Sequence, residues 1–298
     1  MSGLSTGLLI LIIFLSLLLL AVIVVTVIAV IEPHTLKVTT RKMYPASKIP
    51  GFKKQDPSTA SGSFSQPGIR LFFFSDLHAD ICLIKPERLI SAIREAHGSS
   101  PLDAVIFGGD ICNDYQVNEK GLSYLKMISD TCNEIGIPFY GVTGNHDFGF
   151  DPSDCRAFFE CIENKQIHFT SRATGKPVVL CGVDDSGRKN RVWYKVPDVP
   201  SDCTSVLVVH NPDSILHFNE DDHVDFMLSG HFHAGQIKMP FKLEFLLLRD
   251  DKLPKMNVVE GIFEHNGTTL FISRGVGCNK LPFRLGALPE VSVVEIFA

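Results

Sequence analysis

The chain has 298 residues, 33 acidic and 28 basic, for a net charge of −5, a length that admits one large domain or two small ones. An acidic balance argues against nucleic acid as the main partner, because binding a phosphate backbone needs clustered positive charge. Mean hydropathy is nonetheless positive, at +0.17, and the N-terminus accounts for it.

Gly7 to Ile31, GLLILIIFLSLLLLAVIVVTVIAVI, carries no charge. As a helix it spans about 37 Å, enough to cross a hydrocarbon core of about 30 Å with some tilt. The alternative is a cleaved signal peptide, which needs a basic n-region, a short apolar run and a small-x-small cleavage site. None of these is present, so residues 1–31 are expected to be an uncleaved anchor. Lys37, Arg41, Lys42, Lys48, Lys53 and Lys54 follow the span and nothing basic precedes it. The positive-inside rule then predicts a single-pass protein of the inner or plasma membrane with its domain in the cytoplasm. The eight cysteines form no C-x-x-C pair and read as buried small apolar residues of a reducing compartment.

Residues 32–68 predict a basic linker, broken by Pro45, Pro50, Pro57 and Pro67. Such a neck either lies against an anionic membrane surface or serves as a juxtamembrane retention signal. From residue 69 the pattern alternates. IRLFFFSD predicts a buried strand, KPERLISAIREAH a helix with Leu89, Ile90 and Ile93 on one face, and LDAVIFGGD a second strand. EKGLSYLKMISDTCNEIG predicts a second helix, stopped by Gly136, and IPFYGVTGNHD a third strand and loop. This β-α-β-α-β order implies a largely parallel α/β sheet with helices on its faces. PVVLCGV, SVLVVHNPD, VDFMLSGHFH, TTLFISRG and EVSVVEIF then predict short strands of a second, mixed sheet packed on the first.

The strand ends carry the chemistry. Asp76 and His78 follow the first strand, Asp110 the second, and Asn145, His146 and Asp147 the third. His210, His231 and His233 end two of the later strands. Each alone is ordinary, since an Asp after a strand is usually a turn or helix cap and a lone His a satisfied polar residue. Together they line the edge at which open α/β sheets collect ligands. Nitrogen and oxygen donors without thiolates suit hard-to-borderline divalent cations. Two such cations about 3.5–4 Å apart clamp a phosphate and generate hydroxide near neutral pH.

In order and spacing, D-x-H, G-D, G-N-H-D, H and G-H-x-H resemble the calcineurin-like metallophosphoesterase family from about residue 70 to 298. The resemblance implies a four-layer α-β-β-α sandwich with two mixed β-sheets. It implies that Asp76, His78 and His233 bind one metal, that Asn145, His210 and His231 bind the other, and that Asp110 bridges them. His146 would sit over the phosphate, stabilise charge and protonate the leaving oxygen. Asp147 would orient that imidazole or cap a helix beginning near PSDCRAFFE. Two divalent metal ions are implied, with Mn²⁺ favoured over Fe or Zn²⁺.

The segment GHFHAGQIKMPF and the C-terminal stretch resemble a membrane-anchored bacterial subgroup that includes a UDP-2,3-diacylglucosamine pyrophosphatase. Ala79 and Ala234 stand where that subgroup usually has Gly, which bears on loop shape. The subgroup implies a phosphate-ester substrate, lipid-linked in the case of that pyrophosphatase, with lipid A synthesis as its pathway. Phe245 to Leu248 reads either as a buried strand or as an acyl pocket or interfacial contact. Arg274 and Arg284 are candidates to grip a second phosphate, or else surface ion pairs. The other readings are a general phosphodiesterase, a nuclease, a protein phosphatase, and a non-catalytic scaffold of the same fold. Retention of every expected ligand argues against the scaffold.

Overall fold

In a computed structural model, residues 5–56, 65–113, 118–147, 157–183, 196–219 and 221–298 are described. Helix α1, Thr6–Ile31, has no buried residue, and the Ser5 side chain caps it by accepting from the Leu8 N–H at 3.3 Å. At about 39 Å it is long and apolar enough to cross a membrane, as an anchor or as a signal sequence.

The rest is an α/β sandwich of two mixed sheets. The first sheet contains β3 (Ile69–Phe74), β4 (Ala104–Phe107), β5 (Phe139–Gly141) and β6 (Glu160–Cys161), all parallel. All six residues of β3 are buried because both of its faces are covered. Ile69, Leu71 and Phe73 pack toward the second sheet, while Phe72 and Phe74 pack under two helices. Those helices are α2 (Pro86–Ser99) and α3 (Glu119–Ile135). Leu89, Ala92, Ile93 and Ala96 form the buried stripe of α2, at the spacing that keeps one helical face inward. Asn118 caps α3 by accepting from the Gly121 N–H at 3.0 Å, and Gly136 ends it at φ +71°.

The second sheet has β7 (Gln166–Thr170), β8 (Pro177–Val183), β9 (Thr204–Val209), β10 (Phe226–Ser229), β11 (Gly261–His265) and β12 (Thr268–Ile272). Strands β8, β9, β10 and β12 run parallel, with β7 and β11 antiparallel on the flanks. Among the described residues, its outer face is covered by 3₁₀ turns and the short helix α4 (Leu243–Leu248), from which Phe245 is buried in the core. The seven described cysteines are free thiols, and six of them are buried.

Two expectations are corrected. EVSVVEIF does not join the second sheet: β13 (Glu290–Ile296) returns to the first, antiparallel to β3. Nor are residues 32–68 only a linker. Strand β1 (Lys37–Met43) pairs parallel with β13 over seven residues, and β2 (Lys53–Lys54) pairs with β11. Met43, the last residue of that pairing, and Tyr44, just beyond it, are buried. A truncation that removes residues 1–44 is therefore expected to be less stable than one that removes residues 1–34 by about 3 kcal/mol or more, the scale of emptying a large core position. Urea midpoints of the two proteins measure this, and equal midpoints would show that β1 contributes nothing.

Candidate metal centre

The parallel strands aim their C-terminal ends at one place. Asp76 lies just past β3, Asp110 past β4, Asn145 past β5, His210 directly after β9, and His231 after β10. Five of these loop residues bend through positive φ: Asp76 at 52°, His78 at 39°, Asp110 at 63°, His231 at 71° and His233 at 50°. Each such non-glycine residue costs about 1–3 kcal/mol and persists only where its surroundings demand it. The demand here is proximity. A Cβ on Gly144 would lie 2.2 Å from Asp110 Oδ1, and one on Gly230 2.3 Å from Asp76 Oδ2. Ala234, at φ 53°, adopts a backbone that glycine would hold without strain.

The side chains form two triads, Asp76 with His78 and His233, and Asp110 with His210 and His231. His78 Nε2 and His233 Nε2 face each other at 3.1 Å, and His233 Nε2 lies 3.3 Å from Asp76 Oδ1. His210 Nε2 is 3.3 Å from His231 Nδ1 and 3.1 Å from Asp110 Oδ2. The same Asp110 oxygen is 3.6 Å from His78 Nε2, so one carboxylate oxygen reaches both triads. Lone pairs of neutral imidazoles at such distances repel unless a proton or a cation lies between them. Asn145 Oδ1 is buried with no hydrogen-bond partner, a carbonyl that a cation would satisfy. The donor set therefore fits two divalent cations.

Electrostatics prepare these ligands. Burial pushes the His78 imidazole down to about 3. Burial, then Arg249, brings His231 down to about 4, and His233 is lowered by burial and by His78. All three are thus neutral at neutral pH, as metal binding requires. Burial acts to raise Asp110, but His210, 3.1 Å away, outweighs it and holds the carboxyl well below the usual range. His210 Nδ1 donates to Gly108 O at 2.7 Å, which turns its Nε2 lone pair toward the site.

His146 borders the triads, its ring centroid 5.0 Å from that of His78. Its Nδ1 meets Asn113 O at 2.7 Å, and its backbone N–H donates to Asp110 Oδ1 at 2.8 Å. The orienting partner of His146 is therefore the Asn113 carbonyl. Asp147 does something else: its carboxylate accepts from the N–H groups of Asp110, Ile111 and Gly144, each at 2.8 Å. It ties the loop carrying Asp110 to the loop carrying Asn145. Burial and the Asp110 charge push it up to about 7. A helix capped by Asp147 would fall on residues outside those described.

Neither of the two arginines lines the cavity beside the triads, and Arg274 takes the ion-pair alternative. Arg284 is fully buried and donates to the carbonyls of Arg274, Gly275, Gly277 and Ala287. It braces the loop behind His233. Arg274 pairs with Glu260 and lies 3.8 Å from Glu290 Oε2. Among the described residues, the guanidinium that lines the site belongs to Arg249. It borders a cavity of about 360 Å³ together with His146, His233, Asn279, Lys280 and Leu281.

Asp251 was missing from the sequence-based set. Its Oδ1 lies 3.3 Å from His231 Nε2, and Arg249 Nε donates to its other oxygen at 2.6 Å. Arg249 Nη2 lies 2.9 Å from the same Nε2 and donates to His231 O at 3.0 Å, so Asp251 and Arg249 together hold the ring with Nδ1 turned to the site, the outer support a metal-binding imidazole needs. Asp251→Asn is expected to weaken metal binding about 10–100-fold, read as a higher metal concentration for half-maximal activity. An unchanged metal requirement would remove Asp251 from the centre.

The sequence profile of the family described as calcineurin-like phosphoesterase matches residues 69–235. The chain is 28% identical over 235 residues to the uncharacterized metallophosphoesterase YkoQ of Bacillus subtilis, covering 76% of this chain and 83% of that one. It is 26% identical over 243 residues to phosphodiesterase YaeI of Escherichia coli, covering 76% and 82%. It is also 26% identical over 251 residues to a transmembrane protein with a metallophosphoesterase domain from Danio rerio, covering 77% and 53%. The matched segment contains every residue of both triads, and it spans more than half of the sequence. On that ground the chain belongs to the calcineurin-like phosphoesterase family and is a metal-dependent phosphoesterase.

Proposed function

We propose that this chain is a membrane-anchored hydrolase that cleaves a phosphodiester or pyrophosphate bond in a lipid-linked substrate. UDP-2,3-diacylglucosamine, giving UMP and a lipid phosphate in lipid A synthesis, is the specific candidate. The observation that carries the reading is the cavity beside the triads. Its lining combines His146, His233, Arg249, Lys280 and Glu244 with Ile237, Met239 and Leu281. That combination suits a charged phosphoester joined to a hydrocarbon body. The name of the Escherichia coli relative supports diester chemistry, and that of the Danio rerio relative supports anchoring by α1. The basic residues after α1 support a cytoplasmic domain, and the acidic remainder disfavours nucleic acid.

Two divalent cations held by the triads, by Asn145 and by Asp110 between them, Mn²⁺ being favoured, would supply Lewis acidity and lower the pKa of water. Arg249 is placed to hold a phosphate oxygen. His146 would give a proton to the leaving oxygen as the P–O bond breaks, while the hydroxyl of water joins phosphorus and the water's other proton passes to solvent.

The test incubates detergent-purified full-length protein with Mn²⁺ and UDP-2,3-diacylglucosamine and follows UMP by mass spectrometry. UMP formation is expected, with loss of activity in chelator and recovery on adding metal. Cleavage of an aryl phosphodiester without UMP would leave a general phosphodiesterase of another substrate. Turnover of neither, with metals bound, would return the chain to the scaffold reading.

A further inference from the structure

The base of α1 is hydrogen-bonded to the catalytic domain. The Arg284 N–H donates to Ala29 O at 3.1 Å, and the Ala287 N–H to Glu32 Oε2 at 3.4 Å. The same loop is laced to the metal loop. Leu285 N–H donates to Gln236 O at 2.8 Å, Lys238 N–H to Leu285 O at 2.9 Å, and Gln236 Nε2 to Leu281 O at 3.0 Å. Gln236 is three residues from His233. A short run of hydrogen bonds therefore links the base of the membrane-length helix to a metal ligand.

Apolar side chains are exposed along this path. Among the described residues, every exposed large hydrophobic outside α1 except Val38 falls within residues 239–256 or 281–283. Phe241 is 90% exposed and Leu247 72%, with Met239, Leu246, Leu281 and Phe283 beside them in the sequence or across the cavity. The run expected to be a buried strand or a lipid contact is thus a short helix that buries Phe245 and leaves Leu246 and Leu247 outward. Phe241 and Lys242 hold φ at 59° and 57°. A bulky aromatic in that region is strained, and here the strain turns a phenyl ring into water. Lys252, Lys255 and Lys280 are exposed within a few residues of the patch in the sequence, as is Asp250. Exposed apolar side chains with more lysines than carboxylates beside them suit an anionic lipid surface.

We propose that Met239, Phe241, Leu246, Leu247, Leu281 and Phe283 insert into the leaflet that holds the base of α1. The cavity then opens toward the bilayer, and a lipid-borne phosphoester reaches the metal ligands without leaving the membrane. The substrate clause rests on the proposed function; the insertion does not. Continuity with α1 fixes the occupant, because Phe283 adjoins the residue bonded to Ala29, and Ala29 is two residues from the end of the span.

The experiment uses the full chain with Trp193→Phe, reconstituted into phosphatidylethanolamine–phosphatidylglycerol vesicles whose acyl chains are brominated. A single tryptophan is introduced by Leu247→Trp, by Phe241→Trp or, as a control on the exposed face of α3, by Lys126→Trp. Replacing exposed side chains leaves the core intact. Fluorescence at positions 247 and 241 is expected to fall about two-fold or more relative to unbrominated vesicles, with position 126 unaffected, as for side chains at the acyl boundary. Absence of quenching at both positions, in protein that floats with the vesicles, would overturn the proposal. Cross-linking between copies through position 247 in that case would assign the face to a second copy of the chain. The readout needs neither substrate nor metal, so failure of UMP formation and failure of insertion are separate results.

Discussion

Asp110→Asn is expected to lower kcat on an aryl phosphodiester about 1,000-fold, equivalent to about 4 kcal/mol of barrier, and to reduce bound metal from two ions per chain to one or fewer. Asp110 Oδ2 sits between the triads, 3.1 Å from His210 Nε2 and 3.6 Å from His78 Nε2, whereas Asp76 Oδ1 is 3.3 Å from His233 Nε2 in its own triad and 3.9 Å from His210 Nε2 in the other. Two dications about 3.5–4 Å apart repel strongly, and a shared anionic oxygen offsets part of that repulsion. Asparagine keeps the volume and the acceptor for the His146 N–H, 2.8 Å away, and removes only the charge. Alanine would also strip a buried donor of its partner, which confuses chemistry with stability. Plasma mass spectrometry of the metal content, beside steady-state kinetics and circular dichroism, measures the effect. Two metals retained with activity within about ten-fold of the parent would sink the bridging role.

The site was largely legible because its residues sit where short apolar runs stop. SD, GGD, GNHD, VVH and SGHFH each end a strand, and parallel strands bring their C-terminal ends together whatever their order in the sequence. What surrounds the site was less legible. Asp147 follows His146 in the sequence, yet its carboxylate turns back to three backbone N–H groups. Chain adjacency said nothing about side-chain adjacency. Asn113 orients His146 through a backbone carbonyl, which has no residue signature. Asp251 meets His231 from 20 residues away, across a loop. Nothing in the sequence separated a buried arginine that serves carbonyls, Arg284, from one that borders the cavity, Arg249.

The fold shows the same division. Strands buried on both faces, such as β4, read as unbroken apolar runs. Strand β1 does not, because it is an edge strand in which only Met43 is buried. KVTTRKM therefore has the composition of a basic linker while seven of its residues pair with β13. Edge position also explains the basic residues, since lysine and arginine on an outer strand discourage pairing with further chains.

His146→Gln is expected to lower kcat by about 100–1,000-fold, within the range for a general acid, while both metals stay bound. His146 touches the Asp110 loop through its backbone N–H, which glutamine retains, and its imidazole lies beside the triads rather than within either. A loss of metal would thus place the side chain among the ligands and overturn the assignment. The imidazole Nδ1 meets Asn113 O, so the proton exchange with substrate is assigned to Nε2. A proton donated to the leaving oxygen matters most when that oxygen is a poor leaving group. The deficit should therefore be larger for an alkyl phosphodiester than for a 4-nitrophenyl one. Equal deficits on the two substrates would limit His146 to stabilising charge on the phosphate, and would assign the leaving-group proton to water.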